Sequence, residues 1–175
     1  PSPGLTAGTC LRKDFGMLNE WSPYPDILIS AWKMNEFTPV MLVKQMGKRI
    51  NLLNKNVAVL GYTFKRDTDD IRDSLVPKLY RYIKRCSPSE ILVSDHNLSG
   101  KYIEDNGNIL FKNWLAIEAM KKSDCVFVAI NHTGYLEALK KIADIKPNLW
   151  IADIWNVGLL NKVYYQASEL LEAKS

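Results

Sequence analysis

The spacing of glycine excludes a first class of function. The 175 residues include 9 glycines, and no three of them fall as G-x-G-x-x-G. That spacing lets bare backbone approach the pyrophosphate of a dinucleotide, so a standard dinucleotide turn is absent from the chain. Cysteine is also scarce: Cys10, Cys86 and Cys125 are odd in number and form no CxxC pair. This excludes a disulfide framework and a zinc knuckle and fits a reducing, cytoplasmic setting. Histidine is limited to His96 and His132, each just after an apolar run. Both are expected at the carboxyl edge of a sheet, but two single histidines make no metal site. No apolar run reaches the ~20 residues of a membrane span, and no signal-peptide pattern opens the chain, so no membrane association is expected. The net charge is only +4, with both signs interleaved. No basic face announces nucleic acid, and an anionic small molecule fits as well. The opening PSPGLTAGTC lacks an initiator methionine and reads as a fragment or processed product.

An apolar content of 47% suffices for a core without metal or disulfides. The pattern changes near residue 54. Residues 1–8 are rich in Pro, Gly, Ser and Thr and read as loop. Residues 15–21 read as a short helical piece, followed by a break at Ser22-Pro23-Tyr24-Pro25. Asp26 is placed to cap the next helix, where Ile27, Leu28, Ala31 and Met34 recur at helical spacing. Pro39 either interrupts that helix or begins a fresh one at its first turn, and Val40, Leu42, Val43 and Met46 carry the apolar face on to about Leu53. A loop and long helix cannot bury this face alone. The next domain, a missing domain or a partner chain must cover it.

From Lys55 strand and helix alternate. Strands are expected at 57–60, 91–94, 125–130 and 149–154, with a short one at 109–111 after a loop containing Asn97, Gly100, Asn106 and Gly107. Helices are expected at 75–85, 114–121, 135–142 and 162–173. Short, continuous Val/Ile-rich strands alternating with helices imply a parallel sheet covered on both faces, a doubly wound α/β domain with right-handed crossovers.

Two stretches carry chemistry. The first follows strand 57–60, where Gly61 stands alone before a charged loop holding Lys65, Arg66, Asp67, Asp69, Asp70, Arg72 and Asp73. A loop after a strand's carboxyl end is where α/β sheets bind ligands. Lysine meets phosphate as a point charge and arginine meets it bidentately, and the helix start near Ser74 adds N–H donors. The alternative is a solvated loop whose acids and bases pair with each other. The second stretch surrounds Cys10, which sits in a Gly/Thr-rich loop with Arg12 and Lys13 beside it, a setting that favours a thiolate. Asp14 comes round to the same face if the segment is helical. A nucleophile with an adjacent carboxylate is an arrangement for covalent catalysis; the alternative is a small packing residue. Cys125 lies within a strand and reads as core, and Cys86 ends a helix and reads as inert.

Together these stretches resemble the UDP-glucose/GDP-mannose dehydrogenase family, the nucleotide-sugar 6-dehydrogenases. GTCLRKD at 8–14 is similar to the family's G-x-C-x-x-K-D nucleophile loop. MNEFTP at 34–39 is similar to the Asn-Glu…Pro that leads its central helix. LGYTFKRDTDDIRDS at 60–74 is similar to its G-x-x-F-K-x-x-T-D-D-x-R-x-S signature. The resemblance implies oxidation of a sugar's C6 hydroxymethyl to a carboxylate, with two NAD molecules each taking one hydride. It gives Cys10 the role of thiolate attacking the aldehyde stage, through a thiohemiacetal to a thioester that water cleaves. It gives Asp14 water and proton handling, and places Gly8, Lys65 and Arg72 at the nucleotide sugar, Arg72 either touching ligand or holding the loop. Residues 1–53 then correspond to the end of an all-α central domain that also forms a homodimer contact. Residues 54–175 correspond to the carboxyl-terminal nucleotide-sugar-binding, Rossmann-like domain. NAD is expected mainly on an absent amino-terminal domain, so the fragment alone is expected to be inactive.

The chain departs from the family at Leu5, Thr6 and Ala7 before the cysteine, where glycine and phenylalanine are usual. It departs also at Arg12 and Leu75, where proline is common, and at Trp155, where many relatives have arginine. These positions bear on the choice of sugar and nucleotide. Two other readings are a non-catalytic nucleotide-binding module and an assembly piece that mainly builds a dimer.

Overall fold

The computed structural model describes residues 4, 5 and 7–172; Thr6 and the end of the expected last helix lie outside the described residues. Helix α1 spans Thr9–Trp21 and α2 spans Pro25–Gly47. The break between them is closed by Ser22, whose hydroxyl accepts the Tyr24 N–H at 3.2 Å. Pro25 opens α2, where its missing N–H costs nothing, so Asp26 lies in the first turn rather than at the cap. Pro39 neither interrupts α2 nor starts a new helix. It is buried within the helix's inner face, and burial of its ring offsets the lost backbone bond.

The strands are β1 (Asn56–Leu60), β2 (Glu90–Ser94), β3 (Tyr102–Asp105), β4 (Asn108–Lys112), β5 (Cys125–Val128), β6 (Trp150–Asp153) and β7 (Tyr164–Gln166). The remaining helices are α3 (Val76–Lys84), α4 (Ala116–Lys122), α5 (Tyr135–Ile145) and α6 (Glu169–Glu172). The main sheet has the order β2-β1-β5-β6-β7. Its first four strands are parallel and β7 runs antiparallel to β6. Val57, Val59, Cys125 and Phe127 face a core shared with Leu42, Val43 and Met46 of α2 and Leu79 and Ile83 of α3. Ala58, Leu60, Val126 and Val128 face an opposite core with Met120 of α4 and Leu139 and Ile142 of α5. Both faces are dry, so the strands read as unbroken apolar runs instead of alternating ones. The architecture is the expected doubly wound, Rossmann-like one with a long preceding helix.

Two expectations need correction. The stretch 162–173 is not one helix: Tyr164–Gln166 forms the edge strand β7, and among the described residues of the stretch Glu169–Glu172 is helical. Tyr165 is buried and donates its hydroxyl to Asp153 Oδ2 at 2.9 Å, a tertiary bond that fixes the strand. The loop before Ile109 contains the further strand β3, paired antiparallel with β4. Asn106 and Gly107 at its tip both have positive φ, 49° and 78°, the backbone that a two-residue Asn-Gly hairpin requires.

The apolar surface of the first fifty residues is divided. The second half of α2 is covered by the α/β domain. The first half, with α1, leaves Trp21 85%, Ile27 76% and Met34 73% exposed. Among the described residues no helix is long and apolar enough to cross a membrane.

Candidate functional site

Strand order reverses between β1 and β5, since β2 lies to one side of β1 and β5 to the other. The crevice at such a switch point, beyond the carboxyl ends of the strands, is the general ligand position of this architecture. Here β1 ends in Gly61, β2 runs into Asp95, and the segment after β5 leads to His132. Gly61 is required: its φ is 88° and a side chain there would run into Ile130. Its N–H donates to the Ser94 carbonyl at 2.7 Å, tying the turn to β2.

The charged loop then folds over a buried polar pair. Asp95 Oδ2 accepts the N–H groups of Tyr62 (2.6 Å) and Thr63 (3.1 Å) and lies 3.1 Å from His132 Nε2. Both side chains are fully buried. Burial alone would raise the Asp95 pKa, but the His132 contact and the two backbone donors outweigh it and hold the group below its ordinary value. The Asp67 N–H donates to His132 Nδ1 at 2.9 Å. Asp67 in turn accepts from the Thr133 N–H (2.8 Å) and hydroxyl (2.6 Å), and these bonds hold its carboxyl well below the usual range. Ser74 closes the far end: its hydroxyl donates to the Thr63 carbonyl at 3.0 Å and accepts the Val76 N–H at 3.1 Å, where α3 begins.

The acid–base pairing expected of a solvated loop is present in part. Asp70 and Arg72 form a forked pair at 2.7–3.1 Å, and Arg66 pairs with Asp67. The Arg72 side chain is 80% exposed, so its stabilising effect is small. Asp70 is held below and Arg72 above its ordinary pKa, chiefly by their mutual hydrogen bonds. Lys65 is exposed, with Nζ 5.2 Å from the centre of the Phe64 ring.

The stretch around Cys10 is docked on this loop. Gly8 has φ 115°, and a side chain on it would meet the Phe64 ring at 3.0 Å. The Thr9 hydroxyl donates to Asp73 Oδ2 at 2.7 Å and Arg12 Nη1 to Asp73 Oδ1 at 3.1 Å. Cys10 lies between these two anchoring residues in the chain. It is exposed and belongs to the first turn of α1 rather than to a loop. Asp14, one turn on, shares its face. Arg12 is paired with residues distant in sequence. Its guanidinium is taken by Asp73, lies 3.9 Å from Glu36 and stacks over Trp32.

Cys125 is buried in β5, which pushes its thiol up to about 12, and half-buried Cys86 touches the Tyr82 carbonyl. Both match the inert roles expected of them. His96 and His132 do sit together at the sheet edge, with ring centres 5.2 Å apart. Among the described residues no group of three potential ligands could hold a metal. The sequence reading missed the Asp95–His132 pairing. Its only local sign is a polar residue placed just beyond each of two strands.

Trp155, the departure from arginine, donates Nε1–H to the Ala129 carbonyl at 2.7 Å and packs against Gly4, where no side chain would fit. It borders an open cleft of about 340 Å³ together with Arg66, Asn131, Thr133 and Asn156. A larger cleft of about 630 Å³ lies at Lys101, Lys112 and Trp114 and shares no residue with the loop.

A family model described as the UDP-glucose/GDP-mannose dehydrogenase family, UDP binding domain, matches residues 58–158. The chain is similar to a UDP-N-acetyl-D-mannosamine dehydrogenase of Campylobacter jejuni, with 31% identity over 140 residues covering 77% of this chain and 34% of the relative. It is also similar to a UDP-glucose 6-dehydrogenase of Rickettsia typhi, with 27% identity over 169 residues covering 89% and 37%. In fold it resembles the GDP-mannose dehydrogenase of Pseudomonas aeruginosa solved as a ternary complex, with TM-score 0.65 and 20% identity over 88% of this chain and 37% of that one. The chain thus spans about a third of the length of the relatives it matches.

Proposed function

The chain belongs to the UDP-glucose/GDP-mannose dehydrogenase family, and on that footing we propose that it carries the nucleotide-sugar site and the reactive thiol of an NAD-dependent sugar-nucleotide 6-dehydrogenase. The observation that carries this reading is the docking of Gly8–Arg12 onto the signature loop through Phe64 and Asp73, which brings the segment holding Cys10 onto the loop that carries Lys65 and Arg72. One part of the site then meets a diphosphate and its neighbour meets the sugar.

Lys65 and Arg72 offer cations at the open edge, and Gly8 keeps backbone close to the ligand. Cys10 attacks the sugar's C6 aldehyde as a thiolate. Asp14, on the same face of α1, takes up the proton of the water that later releases the carboxylate. NAD supplies the hydride acceptor. The residues at β1 do not fit it: the Tyr62 and Thr63 N–H groups that would face a pyrophosphate are taken by Asp95, and a buried carboxylate there repels phosphate. We place NAD on a domain outside these residues, within the part of the relatives that this chain does not span. The 175 residues alone therefore form no NADH.

In the same reading residues 1–53 end a central helical domain, and 54–175 are the nucleotide-sugar domain. The exposed Trp21, Ile27 and Met34 surface supports a homodimer contact through the helices. Three free thiols fit a cytoplasmic protein. The test is NADH formation by the full-length enzyme with a panel of UDP-sugars. Cys10→Ala is expected to lower kcat by at least about a thousandfold. An unchanged rate in that variant would remove the thiol from the mechanism and favour a non-catalytic binding module.

A further inference from the structure

The buried pair beneath the loop has no part in the roles given above to Lys65, Arg72 and Cys10. Its geometry fixes its protonation. The Asp67 backbone N–H can only donate, so His132 Nδ1, 2.9 Å away, must be the unprotonated acceptor. The imidazole proton then sits on Nε2, which faces Asp95 Oδ2 at 3.1 Å and the Thr63 hydroxyl at 3.2 Å. The ring therefore links the far side of the loop, at Asp67, to the carboxylate that holds its near side, at Tyr62 and Thr63. Asp95 is itself held from behind. Its second oxygen accepts the Asn97 N–H at 3.0 Å, and Asn113 bonds both its N–H and its carbonyl at 2.9 Å. Asp95 and Asn97 directly follow β2, His132 follows β5, and Asn113 follows β4, so the ends of the two strands that flank β1, braced by the β3-β4 hairpin, set the loop's shape. Only the Phe64–Arg66 arch, which carries Lys65, stands between the two fixed points.

We propose that Asp95 and His132 are positioning residues for nucleotide-sugar binding: together they clamp the backbone on both sides of Lys65 and hold its ammonium where a diphosphate meets it. This rests on the reading of the loop as the nucleotide-sugar site. A hydrophobic residue at either position would fill the space but would leave N–H donors of the loop without acceptors, and the arch would open. Neither side chain touches ligand.

The test uses this chain, with amide hydrogen exchange as one readout and calorimetric titration with UDP as the other. In His132→Ala the amides of Tyr62, Thr63 and Asp67 are expected to exchange at least about tenfold faster, those of Val59 and Phe127 as before, and the UDP Kd to rise about tenfold. His132→Gln, whose side-chain carbonyl can still accept the Asp67 N–H, should recover part of both. Val126→Ala, a core change, should lower the melting temperature without moving either readout. Loop amides that exchange at the wild-type rate in His132→Ala overturn the proposal, and so does faster exchange spread evenly over loop and core. If the wild-type chain binds no UDP, the reading of function fails, and the exchange pattern still decides whether the pair clamps the loop.

Discussion

The two ends of α2 behave differently, although the sequence gives both an apolar face. Around Leu42, Val43 and Met46 the helix is buried against α3 and the sheet. Around Ile27 and Met34 it stands open, and α1 adds an exposed Trp21. The same helical periodicity thus serves a finished core at one end and an exposed apolar face at the other. Helical spacing reports that a face must be covered, and only the tertiary structure shows by what.

Substitutions can break this comparison. Phe127→Ala, in the finished core, should cost about 3–5 kcal/mol in urea unfolding. Asp95→Ala should follow at about 2–4 kcal/mol, because it leaves Tyr62, Thr63 and His132 donors buried without an acceptor. This effect depends on pH. The Asp95 pKa is lowered in the fold, so its stabilisation is present above the ordinary value of about 3.9 and is lost as pH falls through the lower folded value. Asp95→Asn should therefore show a flatter fall in stability below about pH 4 than the wild type. At the open end, Trp21→Ser should change unfolding by no more than about 0.5 kcal/mol but reduce self-association in sedimentation. A loss as large as that of Phe127→Ala would mean that this end is core after all.

How much was legible in the sequence follows the same division. Strands β1, β2, β5 and β6 were readable because both of their faces are largely buried and their central residues are apolar. Strand β3 was not: Tyr102 and Glu104 are exposed, and only the Asn-Gly turn marks the hairpin. Strand β7 was hidden because its Tyr165–Asp153 bond is tertiary, while the residues after it look helical. At the site, the loop and Cys10 were visible as contiguous motifs. The Asp95–His132 pair was not, since its members lie 37 positions apart and neither has a local motif. The partners of Arg12 were hidden for the same reason: Asp73 and Glu36 come from elsewhere in the fold.

The central claim is that Cys10 and the Lys65 loop form one site for a nucleotide sugar. The most direct measurement is the rate at which iodoacetamide alkylates Cys10, followed by mass spectrometry with and without UDP-glucose or UDP-N-acetyl-mannosamine. Buried Cys125 serves as the internal reference. At saturation one of these ligands should slow alkylation of Cys10 at least about tenfold, and Lys65→Ala should abolish that protection. An unchanged rate at Cys10 under conditions where UDP is bound would contradict the account.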